Sequence, residues 1–189
     1  GCPHFGVCGG CALQHLAPEA QVRFKQKQLV DAMARIGKVA PEQLAEPITG
    51  PVWGYRRRAR MGAKWVFNKH KVLVGFRERR THFLAELSRC PVLDPRVGEA
   101  LEVLAEALAN TSIADKIPQI EMAAAEHVCL SIRVLQAPTE ADLQVFRQLA
   151  RDTGFELRLQ PGGLSTITPL DLQTEHLSRV RAHTAGMDL

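Results

Sequence analysis

This 189-residue sequence predicts an α+β fold with a largely antiparallel sheet and flanking helices. Three observations carry that expectation. Residues 55–67 alternate with period two, the signature of a strand with unlike faces. Residues 119–160 read as strand, turn, strand, helix, strand, a ββαβ unit. Helix-start signals stand before two apolar-periodic stretches, Asp94 followed by Pro95 and Thr139 followed three residues on by Asp142.

In chain order, residues 1–14 are a cysteine-rich loop. Residues 18–36 read as a helix with Val22, Leu29, Met33 and Ile36 on one stripe and Gly37 as its C′ residue. Pro41, Pro47, Gly50 and Pro51 make residues 38–52 a connector. On the strand at 55–67, the parity of Tyr55, Arg57, Ala59, Met61, Ala63, Trp65 and Phe67 faces the core. The opposite parity projects Arg56, Arg58, Arg60 and Lys64 from one side, about 7 Å apart. Residues 68–71 turn and 72–77 return, giving a hairpin, and 82–87 read as a third strand leading to Cys90. Residues 94–110 read as one helix closed by Asn110. Strands at 119–125 and 128–135 flank a turn at Glu126 and His127. A helix over 139–153 ends at Gly154, and a strand follows at 155–160. Residues 165–189 read as a loop and a weakly supported helix or irregular tail.

Cys2, Cys8 and Cys11 form a C-x5-C-x2-C run, and Cys90 stands alone in RCPVL. Three close thiols plus one distant thiol make a four-coordinate set for a soft metal. The three-plus-one layout suits an iron–sulfur cluster better than zinc, whose structural sites favour two short pairs. His4 and His15 nevertheless keep zinc open as an alternative. The odd count of five cysteines, with no signal peptide and no apolar run of spanning length, points away from a disulfide framework. It points to a cytoplasmic protein with no membrane partner. Cys129, in an apolar strand, is expected to be core.

Charge is unevenly spread. Residues 55–80 hold ten basic side chains against one acid, Glu78, whereas the rest of the chain is net acidic. A segment of charge +9 suggests a polyanion at one face. Phe5 and Tyr55 are candidates to stack on bases of single-stranded RNA. A ferredoxin-like electron carrier and a zinc- or cluster-stapled nucleic-acid-binding module without enzymatic role are the competing classes. The electron carrier does not need the basic strand.

CPHFGVCGGC, WGYRRRARMG, VGFRERR and LSRCPVL, in that order, resemble the central region of the 23S ribosomal RNA (uracil-5-)-methyltransferases that carry an iron–sulfur cluster and a TRAM barrel. The resemblance covers residues 1–164. It implies a 4Fe-4S cluster on Cys2, Cys8, Cys11 and Cys90, and 23S rRNA rather than tRNA as partner. It also implies rRNA contacts from Arg56, Arg58, Arg60, Lys64, Arg77 and Arg79. Methyl transfer to uracil carbon 5 moves no electron, so the implied cluster role is structural. No glycine-rich cofactor loop between strand and helix, and no separate catalytic-cysteine motif, is visible. The chain therefore reads as a central domain, 1–164, of a larger enzyme, followed by a tail at 165–189 that is irregular or non-native. S-adenosylmethionine and the TRAM and catalytic domains belong to the full-length enzyme, and residues 1–189 alone are expected to be inactive.

Overall fold

The structure is a computed structural model that describes residues 1–171. Its centre is a six-stranded sheet in the order β2-β1-β3-β4-β5-β6. The strands are β1 (Arg58–Val66), β2 (Lys71–Gly75), β3 (Gln119–Ala124), β4 (Val128–Arg133), β5 (Glu156–Gln160) and β6 (Thr168–Pro169). All neighbours run antiparallel except β4 and β5, which the crossover helix α4 (Glu140–Thr153) joins in parallel. The expected mixture of helix and largely antiparallel sheet is the fold observed.

Alternation explains how the sheet buries itself. Met61 and Ala63 on β1, Val72 and Val74 on β2, Ile120 and Met122 on β3, and Leu130 and Ile132 on β4 are all buried. Helix α3 (Leu101–Ala109) packs Leu101, Leu104 and Leu108 into this core, and α4 adds Phe146 and Leu149. Each large aliphatic side chain removed from water contributes about 1.5–3 kcal/mol.

Helix α4 follows its sequence signals closely. The Thr139 hydroxyl accepts from the Asp142 N–H, the Asp142 carboxylate accepts from the Thr139 N–H, and Gly154 closes the helix at φ 70°. Asp142 also accepts from the Ser112 N–H at 2.6 Å and its hydroxyl at 2.8 Å, which pins the turn after α3 to α4. Thr139 Oγ1 donates to the same carboxylate at 2.8 Å.

Several expectations are corrected. The strand predicted at 55–67 begins at Arg58, so Tyr55, Arg56 and Arg57 precede it. Residues 82–87 form no strand and pair only through an isolated bridge between Arg77 and Leu84. The single helix expected at 94–110 is broken into α2 (Pro95–Gly98) and α3. Gly98 lies against the Cys90 carbonyl, where an added Cβ would stand 2.4 Å from the oxygen. The glycine permits that approach and weakens helix continuation. Helix α1 (Pro18–Ala32) runs on through a π turn at Met33–Gly37, and Lys38 rather than Gly37 takes the left-handed position, at φ 54°. Its predicted stripe meets no core: α1 buries no residue, and Leu29 and Ile36 are exposed. Cys129 is half-buried beside Glu156 and Arg158, on the parity opposite the core. Residues 168–169, expected to be loop, add the short strand β6 beside β5. The rest of the predicted tail, 172–189, lies outside the described residues.

Asp142 generates a stability prediction. Burial raises its pKa, but the hydrogen bonds from Ser112 and Thr139 outweigh burial and hold the carboxyl down to about 2. A depressed folded pKa stabilises fully above the unfolded value near 3.8 and is lost as pH falls toward 2. Asp142→Ala, which removes a helix cap and buried charged hydrogen bonds, is expected to cost about 2–4 kcal/mol at pH 7. Urea titration checks this, and the difference from the parent should shrink between pH 4 and pH 2.

Candidate metal centre and nucleic-acid interface

Local hydrogen bonds fold the first eleven residues into a tight loop. The Phe5 N–H donates to the Cys2 carbonyl, and the Cys8 N–H donates to the His4 carbonyl at 2.9 Å. The loop is then stitched to the chain beyond β2. The Gly9 N–H donates to the Arg77 carbonyl and the Arg79 N–H to the Val7 carbonyl, each at 2.8 Å, with Cys8 bridged to Glu78 between them.

Cys90 arrives from another direction. Its N–H donates to the Gly98 carbonyl at 2.9 Å. The turn it begins is paired with the segment entering β1: Gly54 N–H to the Pro91 carbonyl, Arg56 N–H to the Val92 carbonyl, Asp94 N–H to the Arg56 carbonyl. Seventy-nine residues after Cys11, the fourth thiol thus returns to the first three. Cys2, Cys8, Cys11 and Cys90 line one small pocket, walled by Phe76, Leu87 and Val92.

Four thiols are the donor type that a soft metal group takes. Burial pushes the Cys8 thiol up, opposed by the Gly10 N–H and reinforced by the nearby thiols of Cys11 and Cys2. Burial likewise raises Cys90, against backbone N–H groups of Leu93 and Val92, with Cys11 and Cys8 adding to the rise. Like groups that oppose one another's ionisation are what a bound cation relieves. Among the described residues no group of three or more His, Cys, Asp or Glu is placed to hold a metal ion, so the expected metal staple is not shown by this geometry. His4 lines the same cavity, and its Nε2 faces Ser88, with the hydroxyl at 3.3 Å and the backbone N–H at 3.4 Å. His15 stacks on Phe5, at 6.0 Å between ring centroids. Cys129 lies outside this cavity.

The basic segment is sorted by its partners. Arg58, Arg60 and Lys64 are exposed on one face of β1, as alternation predicts. That face is not continuous. Leu84 crosses it at Gly62, where an added Cβ would come within 2.6 Å of a Leu84 methyl, and so separates Arg60 from Lys64. Arg56 stands apart from the row, its guanidinium over the Phe76 ring at 5.5 Å. Arg60 pairs with Glu121 directly across on β3 at 2.9 Å. Lys69 and Lys71 both pair with Glu86, and these ammonium groups hold its carboxyl down to about 2.

Arg58, Arg77 and Arg79, all named from sequence, form no ion pair among the described residues, and neither does Arg80. Lys64, also named from sequence, makes no close pair but joins Lys116 in lowering the pKa of Asp115. Arg80, missed by sequence reasoning, carries a signal visible only in the backbone, a left-handed φ of 64°. Arg57, expected on the core-facing parity, is instead exposed and ion-pairs with the buried Asp94. Tyr55 is exposed and Phe5 half-buried. No described helix is long and apolar enough to cross a membrane.

No family model matches the chain. Curated relatives do. The chain is 50% identical over 167 residues to a 23S rRNA (uracil(1939)-C(5))-methyltransferase RlmD of Alkalilimnicola ehrlichii, covering 88% of the chain and 38% of the relative. It is 48% identical over 170 residues to the enzyme of that name from Azoarcus sp., covering 89% and 39%. For Methylococcus capsulatus the figures are 40% over 176 residues, covering 93% and 40%. Among solved structures, a Pyrococcus abyssi tRNA (uracil-54, C5)-methyltransferase in complex with S-adenosyl-L-homocysteine matches the fold at TM-score 0.52 and 19% identity. That match covers 86% of this chain and 39% of the other. The chain spans about two-fifths of the length of the curated relatives it matches. Across about nine-tenths of its own length, this chain is similar to a segment of the curated 23S rRNA (uracil(1939)-C(5))-methyltransferases.

Proposed function

We propose that residues 1–171 are the RNA-recognition part of an S-adenosylmethionine-dependent enzyme that makes 5-methyluridine in 23S rRNA. The 50% identity to a 23S rRNA (uracil(1939)-C(5))-methyltransferase across 88% of the chain carries this reading. Arg77, Arg79 and Arg80, which line a groove with Gly9, Gly10 and Cys11, agree with it. RNA phosphates lie along Arg58 and Lys64, with Arg77 and Arg79 beyond Leu84. Arg60 joins by exchanging Glu121 for phosphate, and Arg56 contributes chiefly by fixing Phe76.

In this reading Cys2, Cys8, Cys11 and Cys90 hold a 4Fe-4S cluster. When bound, it supplies a covalent tie between the N-terminal loop and the Cys90 turn rather than an electron. Closing so long a loop removes denatured-state entropy worth on the order of 4 kcal/mol. The protein's own groups then do the positioning: the Cys90 turn pairs with Gly54 and Arg56, so the entrance to β1 is fixed relative to the thiols.

The methyl donor binds outside residues 1–171. The parallel crossover β4–α4–β5 is the place where an α/β nucleotide loop would stand. Its entry, Val134 to Thr139, has no glycine, and the N-terminus of α4 is occupied by Asp142 and Thr139. The TRAM and catalytic domains of the full-length enzyme are the partners that complete the reaction.

Three measurements test this. Anaerobically purified protein should contain about four iron and four sulfide per chain. Cys90→Ser should lose them and about 4 kcal/mol of stability, whereas Cys129→Ser should retain both. Stoichiometric zinc without sulfide would rule the cluster out. Arg58→Ala should weaken binding to all RNA sequences alike and flatten the dependence of log affinity on log salt by about 0.7, and an unchanged slope would remove Arg58 from the interface. Calorimetry of residues 1–189 with S-adenosylmethionine should show no binding. Micromolar binding would place the cofactor site within this chain.

A further inference from the structure

We infer that the turn at residues 77–83, braced by the cysteine loop, is a binding site for one nucleotide of single-stranded RNA, with the phosphate on Arg79 and Arg80 and the base on Phe83. The inference rests on the RNA-recognition reading above and adds a site separate from the face of β1.

Four observations meet at this turn. First, Gly9 and Gly10 on one side and Arg77, Arg79, Arg80 and Thr81 on the other enclose an open groove. Second, the arginines of that groove have no acidic partner among the described residues, unlike Arg60, Lys69 and Lys71 on the neighbouring strands. The one acid of the turn, Glu78, has its carboxylate engaged by the Thr81 hydroxyl at 3.2 Å. Third, Phe83 is 61% exposed although it is aromatic, and its ring stands 4.2 Å from that of His82. A large apolar ring held in water, with one neighbour already against it, offers its other face to a planar ligand.

Fourth, the turn is fixed in place. The bonds from Gly9 to Arg77 and from Arg79 to Val7 hold one arm to the cysteine loop. The Glu78 N–H donates to the Phe83 carbonyl at 2.9 Å, and the Ala85 N–H to the Phe76 carbonyl at 3.0 Å, so the two arms are tied to each other. Arg80 sits at the apex in the left-handed region, φ 64°, and reverses the chain there. A preorganised turn loses little freedom on binding, and retains more of the contact energy as affinity. Cation and ring lie within four residues, the combination by which single strands are gripped without base pairing.

The test uses fluorescence anisotropy of the intact protein with a labelled single-stranded RNA oligonucleotide, with heparin and duplex RNA as competing probes. Phe83→Ala should weaken oligonucleotide binding by about 5- to 150-fold, the worth of one base stack, while heparin binding is unchanged. Phe83→Trp should restore it. Arg79→Ala and Arg80→Ala should each flatten the salt dependence by about 0.7 log units per log unit. Melting temperatures should match the parent, since Phe83 is exposed. If Phe83→Ala binds like the parent while Arg58→Ala is weakened, this site is wrong and the RNA reading stands. If neither is weakened, both fall. Equal loss of heparin binding, or competition by duplex as strong as by single strand, would reduce the turn to a general polyanion patch and overturn the nucleotide site.

Discussion

One buried carboxylate holds the parts of this molecule in register. Asp94 is 1% exposed and engages two segments directly and a third through Arg96. It caps α2 through the Arg96 N–H, takes two side-chain bonds from the Arg96 guanidinium at 2.9 Å, and pairs with Arg57 at the entrance to β1. Arg96 passes the connection on, donating to the carbonyls of Ala125 and Glu126 in the β3–β4 turn. The Arg96 bonds lower the Asp94 pKa, against burial, and Arg57 adds to the lowering. Charge-assisted bonds of this kind are roughly twice as strong as neutral ones. A buried charge stripped of its partners costs about 3–5 kcal/mol. The Cys90 turn, the basic strand and the second hairpin keep their mutual positions through this one group.

That node also explains why the basic segment is not uniform. Ten cations in twenty-six residues repel one another unless acids intervene. Asp94, Glu121 and Glu86 are placed to neutralise Arg57, Arg60, Lys69 and Lys71. What remains without a close ion pair is Arg58, Lys64 and the arginines of the 77–83 turn. With Leu84 standing between Arg60 and Lys64, the cationic surface is broken into patches rather than one continuous stripe.

Local signals were legible where the determinants are local. The capping box at Thr139, the hairpin of β3 and β4, and the helix stop at Gly154 all depend on residues a few positions apart, and each stands as predicted. The meeting of four thiols was legible for a different reason: it is a pattern of residue type, and the chain brings Cys90 to the pocket of the other three. The misses depend on distant partners. Nothing near Gly98 in sequence announces that the Cys90 carbonyl abuts it and divides a helix. Arg57 obeys alternation on paper, yet the strand starts one residue later and Asp94 claims its guanidinium. Residues 82–87 had the composition of a strand, but Leu84 is drawn over Gly62 instead of continuing the sheet.

The order of strands imposes a cost on assembly. β1 with β2, and β3 with β4, are hairpins that close over short loops. The seam between them joins β1 to β3, where Arg60 meets Glu121 across sixty-one positions of chain. Closing that span costs about 1.6 kcal/mol more entropy than closing ten residues. Non-local pairing of this kind slows folding. Until the seam forms, each hairpin carries an open edge, β1 on one and β3 on the other, with unpaired backbone groups that any extended segment can satisfy. Arg58 and Arg60 lie on the first of those edges. Their mutual repulsion keeps two copies of the young chain from joining there before the second hairpin arrives.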